Sequence, residues 1–241
     1  MRRTINKKTK QLSEQKRLTE LIPLVSHQLR TPLTAIKWSA DLLLNGDLGE
    51  LNAKQKRHIE LISSANEQAL NLITELLDVS RLEFKKFYIE PKPIDIRRII
   101  TNIIGSFSKL IGDKKLKLET RIDEGVSILN LDPRVLTIVF QNLLDNAIKY
   151  SSDGGQIYIS LGLNKNNLLI SVKDTGCGIP NNDKKFMFSK FFRAENARRS
   201  VPGGTGLGLY IVKKILDQVG GRIWFESKEK SGSNFHTSIP I

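Results

Sequence analysis

The sequence predicts an α+β fold in two parts, a long helical hairpin followed by an α/β sandwich domain. In the first 90 residues, two long stretches repeat apolar residues at helical spacing and are joined by a short polar turn. After Pro91 and Pro93 the pattern changes to short alternating strands separated by shorter helices. A length of 241 residues suits one large or two modest domains.

The hairpin consists of two predicted helices, from about residue 10 to 45 and from about 52 to 84. Asn45 to Gly49 is a stop-and-turn signal, and Asn52 is a suitable N-cap for the second helix. Two long helices joined in this way present an apolar face that no third layer covers. We therefore expect two hairpins to pair into a four-helix bundle, which makes the protein a homodimer.

The second part contains the elements of a layered domain. Asp132 followed by Pro133 marks the start of a helix that runs to about Tyr150, because Asp caps helices and Pro fits their first turn. Strands over 156–163 and 168–173 form a predicted hairpin. The other predicted elements are helices over 95–111 and 207–219 and strands over 116–122, 126–129, 222–227 and 234–239. Helices alternating with antiparallel strands indicate a sandwich of layers.

Charge is the most unusual feature of the composition. The chain has 38 basic and 25 acidic residues, a net charge of +13, and seven of the basic residues lie within residues 1–20. A basic face suits nucleic acid, anionic lipid or a polyphosphate ligand. No stretch interleaves aromatic and basic residues in the manner of a base-stacking platform, so we expect no nucleic-acid partner.

Cysteine content and hydropathy indicate the cellular compartment in which the protein resides. The single Cys177 excludes an internal disulfide and a cysteine-based metal site, which is typical of a reducing compartment. No apolar run reaches the roughly 20 residues that span a bilayer, and the basic start lacks the apolar core of a signal peptide. We expect a cytoplasmic polypeptide, or the cytoplasmic portion of a longer membrane-anchored protein, because basic residues follow a membrane helix on that side.

Two polar segments are candidates for a nucleotide site. Asn142, Asn146 and Lys149 share one face of their predicted helix, and an amide oxygen near a lysine suits Mg²⁺ bound together with phosphate. The alternative for this helix is a solvent-facing polar stripe. Asp174 ends a strand just before a glycine turn, where its carboxylate can accept a hydrogen bond from an exocyclic amine such as that of adenine. Many hairpins use similar residues.

Two loops complete the candidate site. Gly203 to Leu209 opens a helix, and backbone N–H groups at such a junction bind anions. The loop lacks the Gly-Lys-Ser/Thr of a P-loop and follows no strand, so it is either a phosphate lid or a flexible linker. Phe186 to Arg193 has four aromatic residues, which form either core or the anchor of a lid. Arg193 is then available to a phosphate.

The order of these segments resembles the catalytic core of a bacterial sensor histidine kinase of two-component signalling. Ser26 to Leu33 resembles the H box of that family, and Asn142 to Tyr150 resembles the N box. Asp174 to Pro180 is similar to the G1 box, Phe188 to Arg193 to the F box, and Gly204 to Leu209 to the G2 box. The match covers about residues 14–241, with all five motifs in the order of the family.

The resemblance implies a division of the chain. Residues 1–13 are a basic leader, 14–86 a dimerisation and histidine-phosphotransfer hairpin, and 87–94 a linker. Residues 95–241 form an ATP-binding domain of the gyrase, chaperone, histidine kinase and MutL type. The implied ligands are ATP and Mg²⁺, and the implied partners are a second copy through residues 14–86 and the receiver domain of a response regulator.

The resemblance also implies roles for individual residues. His27 is the phosphoacceptor, which passes its phosphoryl group to an aspartate of the regulator, and Thr31 orients a water for dephosphorylating that regulator. Asn146 holds Mg²⁺, and Asp174 reads the adenine amine. The other implied nucleotide-binding residues are Asn142, Lys149, Tyr150, Gly176, Gly178, Ile179, Arg193, Gly204, Thr205, Gly206, Leu207, Gly208, Leu209 and Thr237.

One residue departs from the family pattern. Gln28 follows the histidine where the family most often has Glu or Asp, and an amide accepts a hydrogen bond but takes up no proton. We expect Gln28 to fix the imidazole tautomer and to leave a slower kinase. The alternatives are a phosphatase-biased enzyme, a non-catalytic ATP-binding dimeric scaffold, and an ATPase of the same superfamily that works by conformational clamping.

Overall fold

The computed structural model describes residues 25–26, 28–83, 87–201 and 203–241. The basic leader, the start of the first predicted helix and His27 lie outside these residues. The chain divides into two compact units, and the boundary in the sequence falls between Phe87 and Tyr88. Each unit is built from its own elements.

The first unit is a helical hairpin. Its first helix, α1, includes residues 28–45, and its second, α2, spans Ala53–Glu83. The N-terminus of α2 is a capping box, because Asn52 Oδ1 accepts from Gln55 N at 2.9 Å and Gln55 Oε1 accepts from Asn52 N at 3.0 Å. The predicted cap at Asn52 is therefore confirmed.

Two side-chain contacts join the helices of the hairpin. The buried Asn66 donates from Nδ2 to the Leu33 carbonyl at 2.9 Å, and Lys37 forms an ion pair with Glu67 at 3.3 Å. These contacts fix the register of α2 against α1. The hairpin nevertheless exposes many large apolar side chains: Val25, Leu29, Ile36, Trp38, Leu42, Leu61, Ile62 and Leu72.

The second unit contains five α-helices and seven strands among the described residues. Its helices are α3 at Ile96–Ser106, α4 at Ser108–Asp113, α5 at Pro133–Tyr150, α6 at Glu195–Ser200 and α7 at Gly208–Val219. Its strands are β1 at Lys92–Asp95, β2 at Lys117–Ile122, β3 at Ile128–Leu131, β4 at Gln156–Asn164, β5 at Asn167–Asp174, β6 at Arg222–Ser227 and β7 at Ser233–Pro240.

The main sheet of the second unit has five strands in the order β2-β4-β5-β7-β6. One face carries alternating buried side chains of β4 and β5, such as Ile157, Ile159 and Ile170, and α5 packs on β5. Helices α3 and α7 pack against α5 in turn, and Phe140 of α5 is fully buried. The unit is thus a layer of helices on one face of a sheet, as the sequence predicts.

Several details differ from the predicted elements. The strand β2 runs parallel to β4, with Lys117 opposite Gln156, so the expectation of purely antiparallel strands is wrong for this pair. The helix predicted over 95–111 divides at Phe107 into α3 and α4. The strand β1 starts inside the segment predicted as a linker and pairs with β3, and the short α6 was not predicted.

Asp132 caps α5 and ties it to the strand region that precedes it. The buried carboxylate accepts from Arg134 N at 2.8 Å, from the Arg134 guanidinium at 2.7 Å and from Glu90 N at 2.8 Å. Burial alone raises the pKa of Asp132, but the hydrogen bonds from Arg134 and Glu90 outweigh it and lower the pKa to about 2. The ionised carboxylate therefore stabilises the unit above about pH 4, and this stabilisation is lost as the pH falls towards 2.

Replacing Asp132 with asparagine is expected to lower the free energy of unfolding of the second unit by about 2 kcal/mol at pH 7. The amide still caps α5 but cannot form the ion pair with Arg134. Urea titrations followed by circular dichroism between pH 2 and 7 measure the loss, which should shrink as the pH falls. Asp95→Asn is the matched control, because Asp95 caps α3 through Arg98 N alone and should lose about 0.5 kcal/mol or less. Equal losses at both caps would contradict the role of the ion pair.

Candidate nucleotide site

The helix α5 presents three of the predicted site residues. Asn142 donates from Nδ2 to the Ile138 carbonyl at 2.7 Å, which leaves its Oδ1 for another partner. The half-buried side chain of Asn146 makes no hydrogen bond within the described part of the chain. Lys149, one turn further on, is paired with Asp145 at 2.5 Å. Helical spacing thus places two amide groups and a neutralised lysine along one side of α5.

Asp174 ends β5 and lies almost completely inside the protein, with 5% of its surface exposed. Its Oδ1 accepts from Gly176 N at 2.8 Å and from Ser233 N at 3.3 Å. Among the described residues, no donor reaches Oδ2. Burial raises the pKa of Asp174 to about 6, although the two backbone hydrogen bonds oppose the shift. The hydrogen bonds to Oδ1 fix the orientation of the carboxylate, and Oδ2 remains able to accept a hydrogen bond from a ligand.

The glycine turn after Asp174 is attached to the end of α5. Cys177 N donates to the Tyr150 carbonyl at 3.3 Å. A Cβ on Gly176 would lie 2.8 Å from Asp174 Oδ1 and would also overlap the Tyr150 carbonyl, so only glycine fits there. Ile179 is buried, and its N–H donates to Ser227 Oγ at 2.9 Å. The turn is therefore held between α5 and β6.

Lys114 fixes the same end of α5, and sequence analysis did not identify it. Its Nζ donates to the carbonyls of Ile148, Lys149 and Ser151 at 2.9, 2.9 and 3.0 Å. These carbonyls have no partner inside the helix, and a cation there also interacts favourably with the helix dipole. No local pattern signals this contact, because Lys114 comes from a turn 34 residues earlier in the chain.

The second glycine loop lies against α5 at Asn142. A Cβ on Gly208, the first residue of α7, would overlap Asn142 Oδ1. The preceding Leu207 is fully buried and anchors the loop, and Thr205 Oγ1 accepts from Leu207 N at 3.3 Å. The start of α7 therefore meets the middle of α5, one turn before Asn146.

Arg193 connects the aromatic segment to this loop. Its guanidinium donates to the Gly204 carbonyl at 3.2 Å, to the Ala197 carbonyl at 3.0 Å and to the Val201 carbonyl. Gly204 and Gly206 both pack directly against the Arg193 side chain. The terminal nitrogens of Arg193 thus bind carbonyls of this loop and of α6, and its availability to a phosphate stays a prediction.

Aromatic packing fixes the segment before Arg193. Phe188 makes an edge-to-face contact with Phe225 of β6 at 5.7 Å, and Phe186 packs on Phe192 at 5.4 Å. Phe188 packs against the sheet, as expected if the aromatic residues belong to the core, whereas Phe186 and Phe191 are exposed. The segment is anchored to the sheet at one side and open at the other.

One predicted site residue lies elsewhere. Thr237 is fully buried, opposite Ile170 of β5 and Ile223 of β6, and four residues along β7 from Ser233. At strand rise this separates it from the Asp174 turn by roughly 13 Å, so its prediction as a nucleotide contact is corrected. Ser233, which pairs with Asp174 across the strands, occupies that position.

The hairpin carries the other predicted residues. Gln28 and Thr31 are exposed and lie about one turn apart on α1. His27 lies outside the described residues. Both of its sequence neighbours are helical, and Gln28 is exposed whereas Ser26 is buried.

In the second unit, the four predicted motifs meet around α5. The Asp174 turn touches its C-terminal end, the Gly204–Leu209 loop meets its middle, and Arg193 ties the aromatic segment to that loop. Glycine backbones, the open Oδ2 of Asp174 and the amide oxygens of Asn142 and Asn146 line one region, and among the described residues no three His, Cys, Asp or Glu side chains cluster there. Such a set defines a nucleotide-binding α/β sandwich preceded by a helical hairpin.

Comparison with known proteins agrees with this class. Residues 131–241 match the family of histidine kinase-, DNA gyrase B- and HSP90-like ATPases, and residues 17–85 match the His kinase A phospho-acceptor domain. The chain is 32% identical to the circadian input-output histidine kinase CikA of Synechococcus elongatus, over 92% of this chain and 30% of that protein. It is also 32% identical to the sensor histidine kinase WalK of Bacillus subtilis, over 92% of this chain and 36% of that protein.

Solved structures show the same relationship. The catalytic domain of histidine kinase ThkA in a nucleotide-free form is 30% identical, with a TM-score of 0.55 over 63% of this chain and 95% of that one. Full-length ShkA in complex with AMPPNP shares the fold, with a TM-score of 0.73 and 23% identity over 92% of this chain and 45% of that one. The chain belongs to the sensor histidine kinase family and comprises its phospho-acceptor and ATP-binding domains.

The chain spans about a third of the length of CikA and of WalK. Within the described residues, no helix is both long and apolar enough to cross a membrane.

Proposed function

We propose that the protein is an ATP-dependent histidine kinase that phosphorylates its own His27 and passes the phosphoryl group to an aspartate of a response regulator. The observation that carries the proposal is the assembly of four nucleotide motifs around α5 in a chain that also contains a phospho-acceptor hairpin. Residues 14–86 are assigned to dimerisation and phosphotransfer, and residues 95–241 to ATP binding. Thr31 supplies a second activity, the dephosphorylation of the regulator.

The adenine amine is proposed to donate to Asp174 Oδ2. Support comes from the geometry of the carboxylate, which accepts from two backbone N–H groups through Oδ1 and has no donor at Oδ2 among the described residues. Gly176, Gly178 and Ile179 form the wall beside it. Ser233 replaces Thr237 in this part of the assignment, because Ser233 N reaches Asp174.

Mg²⁺ is proposed to bind at Asn146 together with the phosphates of ATP. The residues fit such an ion, since Mg²⁺ keeps most of its waters and takes few protein oxygens. Asn146 offers an amide oxygen without a protein partner among the described residues, and no group of three His, Cys, Asp or Glu side chains clusters there. When bound, Mg²⁺ neutralises charge on the transferring phosphate.

The phosphates are proposed to lie along the start of α7. The loop from Gly204 to Leu209 contributes backbone N–H groups and is fixed by Leu207 and Arg193. Asn142 borders the same loop, and Lys149 is near the end of α5 with its charge shared by Asp145. Tyr150, Thr205 and Leu209 complete the assigned nucleotide contacts.

The transfer step uses the imidazole of His27 as nucleophile. A histidine with an ordinary pKa of about 6.5 is mostly neutral at pH 7, so one ring nitrogen is free to attack the γ-phosphorus. A nitrogen–phosphorus bond forms, the bond from the γ-phosphorus to the bridging oxygen breaks, and ADP leaves. Gln28 acts as a positioning residue that accepts a hydrogen bond from the other ring N–H, and the proton on that nitrogen passes to solvent after the transfer because an amide takes up no proton.

Replacing Gln28 with glutamate is expected to raise the rate of autophosphorylation about tenfold, because a carboxylate can take up the imidazole proton. The rate should also rise from a lower pH than in the wild type, which a purely structural effect would not produce. Gln28→Ala is the comparison variant and should be slower than the wild type. An unchanged or lower rate in Gln28→Glu would refute the positioning role.

A second copy of the hairpin is proposed to cover its exposed apolar side chains, including Leu29, Ile36 and Leu61. Two hairpins packed in this way form a four-helix bundle. The receiver domain of a response regulator is the proposed acceptor of the phosphoryl group. We propose that the protein is cytoplasmic, or that it is the cytoplasmic part of a longer sensor.

Nucleotide affinity is expected to fall at acid pH because Asp174 has a pKa of about 6. The ionised carboxylate is the better acceptor for the adenine amine, so affinity for ADP should drop by up to about tenfold per unit below pH 6 and be level above it. Without nucleotide, the free energy of unfolding changes with pH in the opposite direction. Because the pKa of Asp174 is raised in the folded protein, its contribution to stability decreases as the pH rises from 4 to 6.

Calorimetric titration with ADP between pH 5 and 8 measures this dependence. Phosphate groups of the ligand also titrate there, so the same series with Asp174→Asn isolates the contribution of the carboxylate. The variant should bind more weakly at pH 7 and should lose the part of the pH dependence that centres near 6. Identical profiles for both proteins would contradict the role of Asp174.

Incubation with ATP labelled either in the γ-phosphate or in the adenine separates the candidate functions. A kinase retains only the γ-label on protein, and the label is acid-labile and stable to alkali. A scaffold that binds ATP without chemistry leaves both labels in solution as ATP, and a clamping ATPase releases labelled phosphate without labelling the protein. Retention of the γ-label on the wild type supports the proposal, and either of the other results overturns it.

A further inference from the structure

Residues 184–193 form a segment rich in both basic and aromatic side chains, the basic–aromatic lid segment. It contains Lys184, Lys185, Lys190 and Arg193, four phenylalanines and Met187, and no acidic residue. Residues 181–200 together carry six basic and two acidic side chains, a net charge of +4.

Two phenylalanines of the segment point outwards. Phe186 is 43% exposed and Phe191 is 56% exposed, whereas Phe188 packs on the sheet. Phe191 has a φ of +59°, a left-handed conformation that is rare for a bulky residue and is kept only where its surroundings impose it. Gly206 packs on the backbone of Phe191 and holds it there. The fold therefore maintains an exposed phenyl ring.

Cations lie beside two rings in and near the segment, the exposed Phe186 and the buried Tyr210. Lys185 Nζ lies 4.8 Å from the ring centre of Phe186. Lys190 and Lys214 Nζ lie 5.3 and 5.6 Å from the ring centre of Tyr210, at the start of α7. Arg198 and Arg199 are exposed on α6, where Glu195 pairs with Arg199. One exposed ring, that of Phe186, thus has a lysine beside it, and the residues around the segment carry a net positive charge.

We propose that the basic–aromatic lid segment docks the ATP-binding domain on an anionic lipid surface. Phenyl rings enter the boundary between headgroups and acyl chains, while lysines pair with acidic headgroups. This inference goes beyond the kinase function and does not depend on it. Docking would place a membrane next to the Gly204–Leu209 loop, which Arg193 of the segment contacts.

The composition favours lipid over an acidic protein or a nucleic acid. Lysine is depleted in protein–protein interfaces, and three of the four basic residues of the segment are lysines. Single-stranded nucleic acid needs free ring faces for stacking, but Phe186 is packed on Phe192 and covered by Lys185. A bilayer interface requires only apolar area next to positive charge.

Sedimentation of the full chain with vesicles tests the proposal. The vesicles are phosphatidylcholine with or without phosphatidylserine, at low and at high salt. We expect binding only with phosphatidylserine, and weakening at high salt because the charges are screened. Lys185→Gln with Lys190→Gln should weaken binding about 25-fold, since each lysine contributes about fivefold. Phe191→Asn should weaken it about tenfold, and asparagine tolerates the left-handed backbone.

The matched control is Lys109→Gln with Lys117→Gln, which removes two exposed lysines outside the segment and should change binding by about twofold or less. Equal binding by the lid variants and the wild type overturns the proposal and assigns any lipid affinity to the basic residues before residue 20. Binding to pure phosphatidylcholine overturns it also. So does binding to polyglutamate or a single-stranded oligonucleotide in the absence of vesicle binding.

Discussion

Replacing Asn146 with alanine is expected to lower the rate of autophosphorylation at saturating ATP by at least about 100-fold. The amide oxygen of Asn146 is the proposed protein contact of Mg²⁺, and phosphoryl transfer depends on charge neutralisation at the γ-phosphate. Asn146→Asp keeps an oxygen at this position and should restore most of the rate. The measurement is incorporation of label from γ-labelled ATP over time.

Two further observations separate the loss of metal from a loss of structure. Affinity of Asn146→Ala for ADP without Mg²⁺ should stay within about threefold of the wild type, because the adenine contacts are intact. Gln141→Ala, an exposed residue on the same helix, should phosphorylate at the rate of the wild type. Normal phosphorylation by Asn146→Ala would show that the metal is held elsewhere.

Replacing Gly176 with alanine is expected to weaken ATP binding about 100-fold. The added methyl group would lie 2.8 Å from Asp174 Oδ1 and would overlap the carbonyl of Tyr150, so the turn must move away from α5. That movement also displaces Oδ1 from Gly176 N and reorients the carboxylate. Calorimetric titration with ATP analogues measures the effect, and the free energy of unfolding should fall by about 1–3 kcal/mol.

Gly105→Ala is the control for this substitution. Gly105 lies in α3 with no atom within 4 Å of an added Cβ, so alanine should raise the free energy of unfolding by about 1 kcal/mol and leave ATP binding unchanged. Unchanged ATP binding in Gly176→Ala would mean that the Asp174 turn does not contact the nucleotide.

Elements with a strong local signal could be predicted from the sequence. Asp132 and Pro133 start α5, and Asn52 with Gln55 starts α2, because capping involves residues only two or three positions apart. The strands β4 and β5 alternate cleanly in burial and were predicted within about one residue. Long-range pairing carries no such signal. Hence β1 was interpreted as linker from its prolines, and the parallel pairing of β2 with β4 was missed.

In the candidate site, too, local features could be predicted from the sequence and long-range contacts could not. Motif positions on α5, on the Asp174 turn and on the Gly204–Leu209 loop could be located from spacing. The partners of individual side chains could not, because they come from distant segments. Ser233 reaches Asp174 through the register of β5 and β7, and Arg193 binds carbonyls of the lid that no sequence pattern marks. Lys149 is neutralised by Asp145, a pairing that helical spacing does allow.

The central claim is that the nucleotide site of the second unit serves His27. Mass spectrometry of peptides from protein incubated with Mg²⁺ and ATP, kept at neutral to alkaline pH, tests it most directly. The predicted result is a single phosphoryl group on the histidine of the peptide that contains Ser26 and Gln28, with no modified peptide in His27→Ala. A phosphoryl group on His58, His236 or a hydroxyl side chain, with His27 unmodified, would contradict the assignment.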